Sequence, residues 1–153
     1  MIQSVKPAPT DETDGLPMPK RIWAVISVGF ALCMSVLDVN IINIVLPTLS
    51  HDFGTSPAVT TWIINGYQLA IVVSLLSFSA LGEIIGYRKV YLSGIGLFCI
   101  TSLICALSDS FWTLTIARIF QGFSASAITS VNTAQLRYIY PKSQLGRGMG
   151  INA

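Results

Sequence analysis

Charged residues are scarce in this sequence: aspartate, glutamate, lysine and arginine together make up 10% of its 153 residues. A soluble domain carries about 25%, whereas here 52% of the residues are apolar and the mean hydropathy is +0.67. This composition excludes a soluble globular fold. Because the few basic residues form no continuous face and do not alternate with aromatic residues, it also excludes a nucleic-acid-binding protein.

Histidine and cysteine are rare as well. The single histidine, His51, lies in a polar stretch, and Cys33, Cys99 and Cys105 lie in apolar runs without the spacing of metal ligands. We therefore expect neither a metal site nor a bound cofactor. The sequence also lacks a nucleophile–base pair and a phosphate-binding glycine loop, so we do not expect an enzyme.

Long apolar runs dominate the sequence instead. Residues 1–20 are expected to form a disordered cytoplasmic tail. The first run has 25 residues, enough to cross a hydrocarbon core of about 30 Å; Pro47 is expected to end it, and residues 50–57 are expected to form a polar loop. The predicted fold class is an all-α membrane protein with four transmembrane helices and the start of a fifth: 22–46, 59–81, 90–107, 111–136 and 147–153.

Lysine and arginine are confined to alternate loops. Of the nine basic residues, eight lie in the tail, in the turn between the second and third spans, or after the fourth span; the ninth is Arg118. Basic loops stay on the cytoplasmic side of a membrane. The distribution therefore predicts a multi-pass protein of the cell (plasma or inner) membrane with a cytoplasmic N-terminus.

Two charges interrupt the predicted spans. Asp38 lies about 24 Å from the inner edge of the first span, and Arg118 about 10 Å below the outer edge of the fourth, so both fall in the outer half of the membrane. If these spans are neighbours, the two charges can meet. Such a pair is either a structural lock between helices or a carboxylate that responds to protons or cations, because intramembrane charges commonly mark transport pathways.

The fourth span carries a stripe of polar and small residues at helical spacing. The stripe can line a cavity, or it can allow close helix packing through residues such as Gly122 and Ser126. Asn40 and Asn43 of the first span lie well round the helix from Asp38 and are expected to bond neighbouring helices. The stripe consists of Arg118, Gln121, Gly122, Ala125, Thr129 and Asn132.

These features together resemble the major facilitator superfamily, and most closely its 14-span drug:proton antiporter branch. Residues 37–47, LDVNIINIVLP, are similar to the span-one signature of that branch, although Asn40 stands where threonine is usual. Residues 114–127, LTIARIFQGFSASA, are similar to a span-four motif implicated in proton coupling. Leu114, Arg118, Gln121 and Gly122 carry that similarity.

The turn between the second and third spans resembles the loop motif of the same superfamily, G-x-L-A-D-R-x-G-R-R/K. Leu81, Gly86, Arg88 and Lys89 match it, and Glu83 stands in place of the aspartate. The resemblance implies a conformational latch in which this carboxylate meets a helix N-terminus of the other half of the transporter. Ser79 replaces the first glycine of the motif, and Ile84 replaces its usual basic residue.

The resemblance implies the N-terminal part of a transporter that uses a proton gradient to export drug-like or other small molecules. Asp38, Arg118, Gln121 and Gly122 would form its proton-coupling cavity. The implied partners are a small-molecule substrate, the lipid bilayer and a C-terminal remainder of the transporter. Three alternatives stay open: a facilitator for sugar, organic acid or peptide uptake, a small four-helix multidrug pump, and an inactive truncated membrane fragment.

Overall fold

The computed structural model describes residues 17–139 together with Gly146 and Gly150. Within that part of the chain the protein consists of helices joined by short connections and contains no strand. Residues 1–16 of the expected tail, and the predicted fifth span apart from Gly150, lie outside the described residues. The helices are α1 (Met18–Asp52), α2 (Pro57–Thr60), α3 (Trp62–Ile85), α4 (Tyr87–Ala106) and α5 (Phe111–Ile139).

The bounds of α1 correct three sequence-based expectations. The helix begins at Met18, inside the expected tail, and it continues through Pro47 to Asp52. Proline has a helical φ angle but removes one backbone hydrogen bond donor. The helical turn after Pro47 still forms, since the Phe53 N–H donates to the Leu49 carbonyl at 3.0 Å. The prediction that Pro47 ends the helix is therefore wrong. The predicted loop 50–57 shrinks to residues 53–56, because α2 begins at residue 57.

Short connections hold the next three long helices close together. Gly86 is the only residue between α3 and α4, and its φ of 98° lies in a region that favours glycine. The link from α4 to α5 ends at Ser110, whose hydroxyl accepts a hydrogen bond from the Thr113 N–H at 3.2 Å. That contact satisfies one of the unpaired donors in the first turn of α5.

The helix α5 lies at the centre of the described bundle and packs along both α3 and α4, while α1 contacts it more sparsely. Gly122 allows the closest approach: a Cβ atom there would lie 2.5 Å from the Tyr67 carbonyl oxygen and 2.8 Å from the Ala70 Cβ on α3. Gly94 does the same for α4, where a Cβ atom would lie 3.1 Å from the Ala127 Cβ. These small residues bring the backbones together, as is common between membrane helices.

The outer surface of the bundle is strongly apolar, with side chains such as Leu76 and Ile84 about four-fifths exposed. Among the described residues, three helical segments are long and apolar enough to cross a membrane: Pro19–Asp52, Pro57–Ile85 and Tyr87–Ala106. The 29-residue α5 is not among them. Several of its polar residues, Arg118 and Gln121 among them, are buried between the other helices and lower its hydropathy. That α5 forms a fourth span remains a prediction.

Candidate functional site

An ion pair joins α1 to α5 inside the bundle. The Arg118 Nη1 donates to the Asp38 Oδ2 at 2.6 Å, and the two side chains are only 3% and 17% exposed. The structure thus brings together the two charges whose predicted depths in the membrane coincided. With so little solvent the attraction between the two charges is screened less than at the surface, and each charge depends on the other to offset its desolvation.

Gln121 closes this ion pair into a triangle. Its Oε1 accepts a hydrogen bond from the Arg118 Nη1 at 2.8 Å, and its Nε2 donates to the Asp38 Oδ1 at 3.0 Å. The same amide reaches α4, where its Nε2 donates to the Ser102 Oγ at 3.1 Å and its Oε1 accepts from the Cys105 Sγ at 3.5 Å. The fully buried Gln121 therefore connects α1, α4 and α5 at one point.

Tyr67 supplies a contact from α3. The guanidinium carbon of Arg118 lies 4.4 Å from the centroid of the Tyr67 ring, which is a cation–π distance, and Tyr67 is 2% exposed. The Nε and Nη2 atoms of Arg118 are buried and have no hydrogen-bond partner among the described residues. Within that part of the chain, one carboxylate, one amide oxygen and one aromatic face thus surround the cation.

The polar and small stripe of α5 divides into two parts. Arg118 and Gln121 form the polar cluster, whereas Gly122 is pressed against the backbone of α3. Ser126, the other small residue considered for packing, donates its hydroxyl to the Ile71 carbonyl of α3 at 3.2 Å. Close helix packing therefore explains Gly122 and Ser126, whereas the polar interior expected of the stripe corresponds to the neighbouring face, which carries Arg118 and Gln121. Further along, Thr129 is exposed.

Sequence reasoning missed three residues of the cluster: Tyr67, Ser102 and Cys105. Ser102 and Cys105 are three residues apart and therefore share a helix face. This shared face is the one sequence feature that could have indicated a contribution from α4. Asn40, expected to bond a neighbouring helix, is exposed and donates to the Val36 carbonyl of its own helix at 2.7 Å. This bond to its own helix corrects that expectation.

The loop-motif residues surround the α3–α4 turn at the opposite end of the bundle from the α4–α5 link. Leu81 and Glu83 lie in the last turns of α3 and are exposed, as are Gly86 and the basic pair Arg88 and Lys89. A cleft of about 720 Å³ opens beside them and is lined by residues from α1, α3, α4 and α5, including Lys20, Glu83, Arg88 and Gln135. The latch assigned to Glu83 stays a prediction.

Comparison with known proteins agrees with this arrangement. Residues 28–153 match the family described as Major Facilitator Superfamily. The Uncharacterized transporter YebQ of Escherichia coli (strain K12) is 51% identical over 145 residues, which are 95% of this chain and 32% of that protein. The Drug efflux pump JefA of Mycobacterium tuberculosis (strain ATCC 25618 / H37Rv) is 32% identical over 83% of this chain and 25% of its own length. The Riboflavin transporter RibZ of Clostridioides difficile (strain 630) is also 32% identical, over 86% of this chain and 29% of its own length.

The chain spans a quarter to a third of the length of these relatives. The family match, in contrast, covers most of the chain and includes every residue of the polar cluster as well as the α3–α4 turn. An all-helical bundle with an apolar exterior and a buried polar cluster is the architecture expected of a membrane transporter. The chain belongs to the Major Facilitator Superfamily.

Proposed function

We propose that this chain forms the first part of a proton-coupled efflux transporter that exports drug-like or other small molecules. The observation that carries the proposal is the enclosed ion pair between Asp38 and Arg118, with Gln121 bonded to both partners. Relatives named as a drug efflux pump and as a tetracenomycin C resistance and export protein support the export of such molecules.

The proton would act by changing the charge of Asp38. As a carboxylate, Asp38 accepts hydrogen bonds from both Arg118 and Gln121, and this holds α1 against α5. A protonated Asp38 loses its charge attraction to the guanidinium and keeps only neutral hydrogen bonding, so the hold of α5 on α1 weakens. A cationic substrate that reaches the carboxylate competes with the proton for the same negative charge, and competition for one site is what couples two fluxes.

The remaining parts of the proposal concern the whole transporter. Glu83 would act as a latch against a helix N-terminus in the C-terminal remainder. The N-terminus and the α3–α4 turn would face the cytoplasm of a cell whose plasma or inner membrane holds the protein, because the basic residues of those segments favour that side. A proton gradient, rather than a bound cofactor, would supply the free energy.

A second candidate function has the same mechanism but a different transported substrate. The relative named as a riboflavin transporter is as similar to this chain as the drug efflux pump is. Because the polar cluster identifies no particular solute, a nutrient-type substrate is the alternative that this relative favours. Transport of riboflavin in place of a lipophilic cation would identify this case.

The test uses the complete transporter in inverted membrane vesicles, with ethidium movement followed by fluorescence while an imposed pH gradient is varied. Asp38→Asn keeps the shape of the side chain but removes its charge, so we expect gradient-driven transport to be lost. Asp109→Asn is the matched control, because Asp109 is exposed in the link between α4 and α5, and it should transport normally. Undiminished, equally pH-dependent transport by Asp38→Asn would contradict the proposal.

A further inference from the structure

The aromatic ring beside the ion pair has no place in the mechanism given so far. Tyr67 projects from α3 with its face toward the Arg118 guanidinium, at 4.4 Å, and both residues are 2% exposed. The attraction between a cation and a ring face is strongest when the cation is shielded from water. Removing the negative charge of Asp38 would leave this ring and the Gln121 amide oxygen as the remaining partners of the guanidinium charge among the described residues.

The packing indicates which partner of the ion pair moves. Arg118 and Tyr67 belong to a tightly packed unit, since Gly122, one turn beyond Arg118, touches the backbone of Tyr67 itself. Asp38 lies on α1, which contacts α5 more sparsely than the long helices α3 and α4 do. If the ion pair opens, this packing favours a guanidinium that stays with α3 and α5 and a carboxyl group that moves with α1.

We infer that Tyr67 is a positioning residue for proton coupling, whose ring face keeps the Arg118 guanidinium in place while Asp38 is protonated and released. This inference rests on the proposed function. The titratable and charged groups that meet at this point are Asp38 from α1, Tyr67 from α3, Cys105 from α4 and Arg118 from α5.

The test replaces Tyr67 with phenylalanine and then with phenylalanine carrying one, two or three ring fluorines. Fluorine withdraws electrons from the ring face and weakens the cation–π attraction stepwise, while the shape of the side chain hardly changes. The readout is the infrared C=O stretch of the protonated Asp38, followed against pH in the complete transporter in liposomes. Subtracting the spectrum of Asp38→Asn isolates that band, so the measurement needs no substrate.

The expected shift has a definite sign. The ring is needed more when Asp38 is protonated than when the carboxylate offsets the guanidinium charge. Weakening the ring therefore disfavours the protonated state, and Asp38 should take up its proton at lower pH. From phenylalanine to the trifluorinated ring we expect the midpoint to fall in steps by about half a pH unit in total. Tyr67→Phe keeps the ring and should stay close to the natural protein.

Fluorination at Phe98 is the matched control, because Phe98 is a buried aromatic of α4 in the apolar core and is 4% exposed. The Phe98 series should leave the midpoint unchanged. A midpoint that stays constant across the Tyr67 series, rises, or moves equally in the Phe98 series overturns the inference, whatever the transport assay gives. If the Tyr67 series shifts as expected but Asp38→Asn still transports normally, the proposed function fails while the role of the ring in holding Arg118 stands.

Discussion

Replacing Gly122 with alanine should force α5 away from α3. The added methyl carbon would lie 2.5 Å from the Tyr67 carbonyl oxygen and 2.8 Å from the Ala70 Cβ, whereas ordinary van der Waals contact begins near 3.4 Å. The first neighbour is backbone and cannot rotate away, so one of the two helices must shift. Overpacking of this kind costs about 1–3 kcal/mol, and the higher helix propensity of alanine returns no more than about 1 kcal/mol.

We therefore expect Gly122→Ala to lower the free energy of unfolding by about 1–2 kcal/mol. The measurement is equilibrium unfolding of the purified protein in detergent, monitored by circular dichroism. Gly96→Ala on α4 is the matched control, because a Cβ atom there meets nothing within 4 Å; it should be neutral or slightly stabilising. If both variants unfold at the same denaturant concentration, the inferred close approach of α5 to α3 is wrong.

Two further predictions concern the polar cluster. Asp38→Leu leaves the Arg118 charge buried without its carboxylate and should destabilise the protein by about 3 kcal/mol, whereas the double variant with Arg118→Leu should recover most of that loss. Denaturant unfolding of both variants checks this. Equal free energies of unfolding for the single and the double variant would contradict it. Ser102→Ala removes one of the two acceptors of the Gln121 Nε2 and should lower the free energy of unfolding by about 1 kcal/mol in the same assay. Ser93→Ala is the control, because Ser93 is an exposed serine of the same helix, and it should change little.

The sequence could predict the meeting of Asp38 and Arg118 because helical rise is constant, so counting residues from each end of a span gives the depth of a side chain. It could not predict Tyr67, Ser102 and Cys105 as neighbours. Their contacts depend on how far each helix is rotated about its axis and on which helices are adjacent, and both are decided by packing.

The end of α1 shows a different limit. Proline is a strong helix-ending signal on average, but α1 continues through Pro47, and the turn beyond it is closed by backbone hydrogen bonds that the sequence pattern does not reveal. The polar composition of α5 is a third case. Its buried polar side chains lower its mean hydropathy, although the bundle encloses this helix more than the others. By composition alone α5 therefore looks less like a membrane span than the three apolar segments do.

The single-residue joint at Gly86 restricts the kinds of motion open to this bundle. Sliding α3 past α4 by one helical turn requires a displacement of about 5.4 Å, on top of the lateral separation of the two helices, and the two Cα steps from Ile85 to Tyr87 reach at most about 7.6 Å. With Gly86 as the only spacer, a piston stroke of that size would have to unwind the end of one helix. The short connection therefore leaves tilting of the two helices about Gly86, rather than sliding along each other, as the larger motion open to α3 and α4.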